Sequence, residues 1–187
     1  MSPIPYTEKS SLGIPWHTTF VGQRMQHNYW LYSIIDKVMI ENPQIESVIE
    51  IGTGSGAMSM VFGLWGVRKD IRVFTIDKVL RHNPVMLSKL GVEYMQADVF
   101  SEVARQRIQT IIGDKPTWVY CDGGNKRVEL QTFAPLIPSG SIISAHDLGV
   151  EFFPQAVTPG LIPDVIAPYR QEWWMDLNVQ LAMFKKT

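Results

Sequence analysis

Apolar residues recur along this chain with two spacings, one of about two residues and one of about three to four. Short runs rich in β-branched and aromatic residues predict five strands, and the stretches between them have the apolar spacing of helices. The predicted strands are residues 48–51, 71–76, 92–95, 117–121 and 141–145. The predicted helices are residues 23–40, 57–67, 83–90, 100–111 and 130–137. This alternation predicts a mainly parallel sheet.

The alternation also defines the fold class as α/β: a Rossmann-like, doubly wound, mainly parallel sheet with helices on both faces. Residues 172–176 and 178–184 predict a C-terminal antiparallel hairpin that closes the sheet. Two segments have no clear period. Residues 1–22 are predicted to be an N-terminal arm, and residues 150–170 a loop that contains four prolines. With 187 residues, the chain is predicted to be a single domain, residues 1–187.

A glycine-rich turn follows the strand at residues 48–51, and an acid, Glu50, lies within that strand. Glycine tolerates positive φ and lets a ligand approach the backbone. The helix after the turn offers unpaired N–H groups to a polar or acidic ligand. We therefore predict a nucleotide or nucleoside site, the alternative being a tight turn without a ligand. Its predicted residues are Glu50, Gly52, Thr53, Gly54, Ser55 and Gly56.

Acids follow the next two strands. Asp77 lies 21 residues after Gly56 and is predicted to accept both ribose hydroxyls of a nucleoside, with a helix cap as the alternative. Asp98 is predicted to accept from an adenine amino group or, alternatively, to cap the helix after it. Ligands of doubly wound sheets bind beyond the carboxyl ends of the strands, where both acids are expected to lie.

The fourth and fifth strands end in Asp122 and in His146-Asp147. As neighbours about 4.8 Å apart, these strands would bring two carboxylates together, which repel unless they share a proton or bind a cation. A divalent metal ion, most simply Mg²⁺ or Mn²⁺, is the expected solution. His146 would add a nitrogen ligand or point into the core. The alternative is a capping Asp122 and an unrelated surface Asp147.

Composition excludes several other classes. The net charge is −1, which gives no basic excess for a nucleic-acid partner. No apolar run approaches the roughly 20 residues of a membrane span, and the first residues lack the apolar region of a signal peptide. The single cysteine, Cys121, cannot form an internal disulfide. We therefore expect a cytoplasmic protein without a membrane or nucleic-acid partner.

The string E-x-G-x-G-x-G, from Glu50 to Gly56, resembles the first motif of class I S-adenosylmethionine (SAM) methyltransferases. A narrower resemblance covers residues 20–150. The strings V-G-Q-x-M-Q at residue 21, D-G-G at Asp122, A-P-L-I-P-S-G at residue 134 and His146-Asp147 are similar to those of the cephalosporin hydroxylase and rhamnosyl O-methyltransferase family. The resemblance implies a Rossmann-like fold, SAM, a divalent ion and methylation of hydroxyls on sugars or other small molecules.

In this family, the glycines approach the methionine part of SAM and the acid lies near its ammonium group. The pattern implies Asp122 and Asp147 as metal ligands, with position 146 as the third. The chain departs from the family at two positions. Position 146 is commonly an acid there and is His146 here, and a histidine often found three residues after the first ligand is replaced by Asn125, followed by Lys126.

The predicted reaction is therefore SAM-dependent methyl transfer to a hydroxyl. Lys126 is predicted to take the proton, with His17 and His146 as alternatives. A non-catalytic SAM-binding regulatory module and a small NAD-dependent oxidoreductase are the other function classes. The latter would usually need a Tyr-x-x-x-Lys motif or a second domain, and the chain has neither.

The chain has no separate substrate domain. The arm and the proline-rich loop are therefore predicted to cover the strand ends, and a homodimer or larger assembly is expected. Within the arm, Trp16 and Phe20 would pin the segment to the core or border a pocket. Near the end of the chain, Trp173 and Trp174 would pack at the core or sheet edge or line the pocket.

Overall fold

The computed structural model describes residues 18–25, 27, 30–81, 83–148, 151, 166–168 and 179–187. Its helices are α1 (Trp30–Glu41), α2 (Ala57–Lys69), α3 (Pro84–Lys89), α4 (Glu102–Ile112) and α5 (Lys126–Phe133). Its strands are β1 (Thr18–Phe20), β2 (Gln23–Met25), β3 (Ser47–Ile51), β4 (Arg72–Asp77), β5 (Val92–Gln96), β6 (Thr117–Cys121), β7 (Ile142–Ala145), β8 (Ile166–Pro168) and β9 (Ala182–Lys186).

The main sheet has seven strands in the order β5-β4-β3-β6-β7-β9-β8. The strands β5, β4, β3, β6 and β7 pair in parallel, whereas β9 is antiparallel to both β7 and β8. This confirms the predicted α/β fold with its C-terminal antiparallel pair. The strand order reverses beside β3, between β4 and β6, and such a switch point is where doubly wound sheets bind ligands.

The core lies on both faces of this sheet, because successive strand residues point to opposite sides. In β3, Val48 packs with α1, α2 and α3, whereas Ile49 packs with α4 and α5. Strands buried on both faces read as continuous apolar runs, and all five residues of β6 are accordingly buried. This explains why the sequence predicts the central strands well.

The predicted α3 is confirmed with both of its ends. Asn83 is the N-cap, and its side chain accepts from the Val85 N–H at 3.0 Å. Pro84 follows at the first helical position, where its missing N–H costs nothing. Among the described helices, none is long and apolar enough to cross a membrane.

The prediction was wrong for the segment before α1. Residues 23–25 are not the start of a helix but form β2, which pairs antiparallel with β1. Val21 and Gly22 connect the two strands with φ of 48° and 78°, as a two-residue hairpin turn requires. The arm predicted for residues 1–22 therefore contains a strand, and α1 begins only at Trp30. Phe20 packs on Tyr32 with ring centroids 5.3 Å apart, which pins the hairpin to α1.

The C-terminal hairpin also differs in its bounds. Its second strand was predicted at residues 178–184 and is Ala182–Lys186. The partner is Ile166–Pro168, a strand within the segment predicted to be a proline-rich loop. The predicted first strand, 172–176, and the two tryptophans at 173 and 174 lie outside the described residues, as do Trp16 and His17.

Candidate functional site

A cavity of about 850 Å³ lies at the carboxyl ends of β3, β4, β6 and β7. Two groups of residues among those that line it are distinguished here by their chemistry. The first, here termed the glycine-loop half, consists of Glu50, Gly52, Thr53, Gly54, Ser55 and Asp77. The second, termed the charged half, consists of His27, Asp122, Lys126, His146, Asp147 and Glu151. Most of the predicted site residues therefore share one cavity.

The glycine loop needs its glycines for two physical reasons. Gly52, Gly54 and Gly56 have φ of 94°, 52° and 82°, which side chains rarely tolerate. A Cβ on Gly52 would also lie 2.2 Å from the carbonyl oxygen of Asp122, so the two halves of the cavity touch at this point. Gly56 caps α2 and, unlike its neighbours, does not line the cavity.

Glu50 is buried at the base of the cavity, with 1% of its surface exposed. Its Oε2 accepts from the hydroxyl of Thr75 at 2.6 Å and from that of Ser59. Burial raises the pKa of Glu50 to about 8, although these two hydrogen bonds lower it in part. A cationic group of a ligand beside Glu50 would favour the carboxylate form and gain a charge partner.

Asp77 ends β4 and fastens the glycine loop to that strand. Its carboxylate accepts from the backbone N–H of Gly54 at 2.9 Å and from that of Val79 at 3.0 Å. The segment after Asp77 is a bend rather than a helix, so Asp77 is not a helix cap. Each carboxylate oxygen can accept more than one hydrogen bond, and Asp77 therefore retains acceptor capacity on the cavity side.

Asp98 is not among the residues that line the cavity, and its role in adenine binding stays a prediction. Its carboxylate pairs with Lys78 at 2.9 Å, and 46% of the side chain is exposed. It also accepts from the Phe100 N–H at 2.9 Å, while Ser101 is the residue that caps α4. The cavity wall at this position consists of Ala97, Val99 and Phe100.

The charged half is held together by Lys126, of which only 5% is exposed. Its Nζ lies 2.8 Å from an oxygen of Asp147 and 3.6 Å from one of Asp122, and it also donates to Glu151. The Glu151 N–H donates to the Asp147 carbonyl, and Asp147 has φ of 63°. The sequence predicted a cation between Asp122 and Asp147, because two close carboxylates repel each other. Part of that positive charge comes from Lys126, a residue of the chain itself.

These contacts set the charge of Lys126. Burial lowers its pKa, but the three carboxylates outweigh this and raise the pKa above its ordinary value. Lys126 is therefore an ammonium ion at neutral pH, which favours an electrostatic role over the predicted role as a base. For Asp122, burial raises the pKa, but His27 and His146 together hold it well below its usual range.

His146 lies between the two aspartates. Its Nδ1 is 2.8 Å from Asp147 and 3.6 Å from Asp122. Burial lowers the pKa of His146, but the hydrogen bonds to these carboxylates raise it to about 9. His146 therefore faces the site and does not point into the core, which resolves the alternative that the sequence left open.

His27 is a site residue that the sequence analysis missed. It follows β2, is 6% exposed, and its Nε2 lies 2.9 Å from Asp122. Its ring centroid is 4.3 Å from that of His146. Burial and the neighbouring His146 lower the pKa of His27. The helix predicted over residues 23–40 hid this residue, although it directly follows the V-G-Q-x-M-Q string.

Glu129 was also missed, since its position in α5 gives no sequence signal. It is 1% exposed, and its carboxylate accepts from the N–H groups of Gly123 and Asn125 at 3.2 and 3.1 Å. These bonds fix the turn between Asp122 and Lys126. Burial raises the pKa of Glu129 to about 7.

One group in the described part of the chain has the spacing of a metal site. Ligand atoms of His27, Asp122 and His146 all lie within 4.8 Å of one another. Asp122 and His146 are among the predicted ligands. His27 was not predicted, and Asp147 is not part of this group.

No family model matches the chain, and no curated protein matches it significantly in sequence. Among solved structures, an apo structure of CmcI has a TM-score of 0.70 at 14% identity, covering 96% of this chain and 81% of that one. CmcI with Mg-SAM has a TM-score of 0.68 at 15% identity, covering 100% and 78%.

A Staphylococcus aureus protein assigned as a caffeoyl-CoA O-methyltransferase has a TM-score of 0.53 at 16% identity, covering 86% of this chain and 84% of its own. At these identities the similarity is one of fold. The protein has the fold of SAM-dependent methyltransferases, as the resemblance implies.

Proposed function

We propose that this protein transfers the methyl group of SAM to a hydroxyl of a small molecule or sugar, with the help of a divalent metal ion. The observation that carries the proposal is the single cavity lined by both a glycine loop and a cluster of ionisable side chains. Solved structures with the same fold include CmcI with Mg-SAM and a protein assigned as an O-methyltransferase, which supports this chemistry.

The glycine-loop half suits SAM. The backbone of the glycine loop can approach a ligand closely, and Asp77 has acceptor capacity for ribose hydroxyls. Glu50 offers a carboxyl group to the ammonium or sulfonium of SAM. The apolar groups of Val99 and Phe100 suit the adenine ring.

Bound SAM supplies a methyl group that its sulfonium already makes electrophilic. The task left to the protein is to align the acceptor oxygen with that methyl and to keep water away. Lys126 lies in the charged half as a fixed ammonium group, where it would stabilise negative charge that develops on the acceptor oxygen. Glu129 would act as a positioning residue, since it fixes the turn that bears Asp122 and Lys126.

A divalent ion fits the same half of the cavity. Asp122 and His146 offer a carboxylate and an imidazole close together, and His27 adds a second imidazole within 4.8 Å of both. Such an ion would lower the pKa of the acceptor hydroxyl, so that its proton would pass to solvent as the oxygen–methyl bond forms and S-adenosylhomocysteine is released. Removal of metal with EDTA should therefore abolish turnover and leave SAM affinity within a few fold, because the SAM-binding groups belong to other strands.

Calorimetry with SAM, S-adenosylhomocysteine and NAD tests the cofactor. We expect SAM and S-adenosylhomocysteine to bind and NAD to give no signal. Asp77→Ala should weaken SAM binding by about 1.5–3 kcal/mol, the range for a hydrogen bond to a charged group. Asp36→Ala, which removes an exposed acid from α1, is the matched control and should bind normally. Tight NAD binding without a SAM signal would overturn the proposal.

Turnover is measured as S-adenosylhomocysteine formed with a panel of sugars, polyols and phenols. We expect methyl transfer to a hydroxyl oxygen of at least one class. Methylation found only at nitrogen or sulfur would contradict the acceptor part of the proposal. Light scattering of the same samples tests the predicted dimer or larger assembly, which stays a prediction.

A further inference from the structure

We propose that His27, Asp122 and His146 are the ligands of a transition-metal ion, and that Asp147 orients His146 instead of binding the metal. The role of that ion in the reaction rests on the proposed function. Its binding does not, because a metal can be titrated into the protein without SAM or an acceptor.

The geometry brings the ligand atoms of these residues together. His27 Nε2 lies 2.9 Å from Asp122 Oδ2, a separation that also suits two ligands of one small cation. All three ligand atoms lie within 4.8 Å of one another, and both histidines are buried. His27 Nδ1 is buried and has no hydrogen-bond partner among the described residues. Nε2 is the ligand atom in this arrangement, so Nδ1 of the same ring would carry the proton and would not bind the metal.

Asp147 already uses both of its oxygens. Oδ1 lies 2.8 Å from His146 Nδ1, and Oδ2 lies 2.8 Å from Lys126 Nζ. Histidines that bind metals commonly donate their other ring N–H to a carboxylate, which fixes the orientation of the ring. In the proposed role, Asp147 pairs with Nδ1, and Nε2 of His146 would be the nitrogen that binds the metal. The ammonium of Lys126 holds Asp147 there.

The donor set determines which metals the site prefers. Mg²⁺ requires oxygen ligands and usually keeps several waters. Two imidazoles and one carboxylate instead suit Mn²⁺, Fe²⁺ or Zn²⁺, and Zn²⁺ binds nitrogen ligands more tightly than Mn²⁺ does. We therefore expect this chain to differ in metal preference from CmcI, whose structure contains Mg-SAM.

The test is calorimetry of the full-length, EDTA-dialysed protein with ZnCl₂, MnCl₂ or MgCl₂, in the absence of SAM. We expect one Zn²⁺ per chain, with weaker Mn²⁺ binding and an affinity for Mg²⁺ at least about tenfold below that for Mn²⁺. His27→Gln and His146→Gln should each lower Zn²⁺ affinity by more than about 100-fold, whereas Asp147→Asn should lower it by about 10–100-fold, as for other supporting residues. His82→Gln, which removes a histidine that is not part of the proposed site, should bind normally.

A second measurement needs no variant. Histidine side-chain nitrogen signals of the wild-type protein, followed by NMR during Zn²⁺ addition, should shift for His27 and His146. The ligand assignment is overturned if His27→Gln retains full Zn²⁺ affinity, or if Mg²⁺ binds as tightly as Zn²⁺. If no metal binds, the proposed metal site is wrong. Calorimetry with SAM still tests cofactor binding separately.

Discussion

Both halves of the cavity contain buried or partly buried polar groups, but different kinds of contact stabilise those groups in each half. In the glycine-loop half, carboxyl groups are satisfied by hydroxyls and backbone N–H groups: Glu50 by Ser59 and Thr75, and Asp77 by Gly54 and Val79. In the charged half, carboxylates are satisfied by cations, chiefly Lys126 and His146.

Both halves combine contacts between near and distant residues, such as Lys126 with Asp122 four residues before it and Thr75 with Glu50 across 25 residues. His27 meets Asp122 across 95 residues. Ion pairs inside a protein are more demanding than hydrogen bonds between neutral groups, because removal of one partner leaves a buried charge. We therefore expect the charged half to be the more sensitive to substitution.

The largest effect is expected for Lys126→Met, which removes the ammonium group from beside Asp122 and Asp147 and leaves His146 as their chief cationic partner. The loss of one partner from a buried ion pair costs about 3–5 kcal/mol of folding stability, and urea unfolding measures it. Lys78→Met is the matched control, because the Lys78–Asp98 pair is exposed and worth less than about 1 kcal/mol. Equal losses in both variants would mean that the charged half is no more sensitive than the surface.

Added Zn²⁺ sharpens this experiment. If the proposed metal site exists, the ion should restore part of the stability of Lys126→Met by supplying positive charge beside Asp122. Restoration is measured as a rise in the urea midpoint on metal addition, with the EDTA-treated variant as reference.

The next largest effect is expected where the two halves touch. Gly52→Ala would place a methyl group 2.2 Å from the Asp122 carbonyl oxygen, so the loops must move apart at a cost of about 3 kcal/mol. Gly54 also has positive φ, but no atom lies within 4 Å of a Cβ added there. Gly54→Ala should therefore cost only about 1 kcal/mol of folding stability. Thermal unfolding compares the two. A smaller loss for Gly52→Ala than for Gly54→Ala would contradict the close contact.

A gain in stability is expected for Glu50→Gln, at the expense of SAM affinity. The folded-state pKa of Glu50, about 8, lies above its ordinary value of 4.5. The protonated carboxyl therefore contributes stability that is fully present below pH 4.5 and is lost as the pH rises through 8. One pKa unit corresponds to about 1.4 kcal/mol, so even half of this shift is worth about 2 kcal/mol.

Glutamine keeps the acceptor for Ser59 and Thr75 but carries no charge. Melting temperatures of the SAM-free protein at pH 6 and pH 8 should therefore show a larger advantage for Glu50→Gln at pH 8. Calorimetry should show weaker SAM binding. A variant that is less stable than the wild type at pH 8 would refute this account of Glu50.

The smallest effect is expected for Asp98→Asn. Because Asp98 is half exposed and paired with Lys78, the substitution should change folding stability by less than about 1 kcal/mol and SAM affinity by less than about threefold. A tenfold loss of SAM affinity would instead support the role in adenine binding that the sequence predicted.

The sequence alone determined the features that depend on residues close together in the chain, namely strand bounds and the glycine loop. Strand β6 was predicted with its exact observed bounds, Thr117–Cys121, because a strand buried on both faces must be apolar throughout. The glycine loop and Asp77 were identified for a similar reason. Positive φ and a strand end are local requirements, and they select residue types that are visible in the sequence.

Only the tertiary structure decided which polar residues line the cavity and which groups they pair with. Val21-Gly22 forms a hairpin turn, and Phe20 beside it packs on Tyr32 of α1. Strand pairing overrides the helical spacing of residues 23–25, and His27 lies beside Asp122. Asp77 ends β4 and lines the cavity, whereas Asp98, two residues after the end of β5, pairs with Lys78 and does not line it. The charge of Lys126 depends on carboxylates from two separate parts of the chain, Asp122 after β6 and Asp147 and Glu151 after β7. Charge interactions act through space and do not depend on sequence order, so the residue types alone could not reveal them.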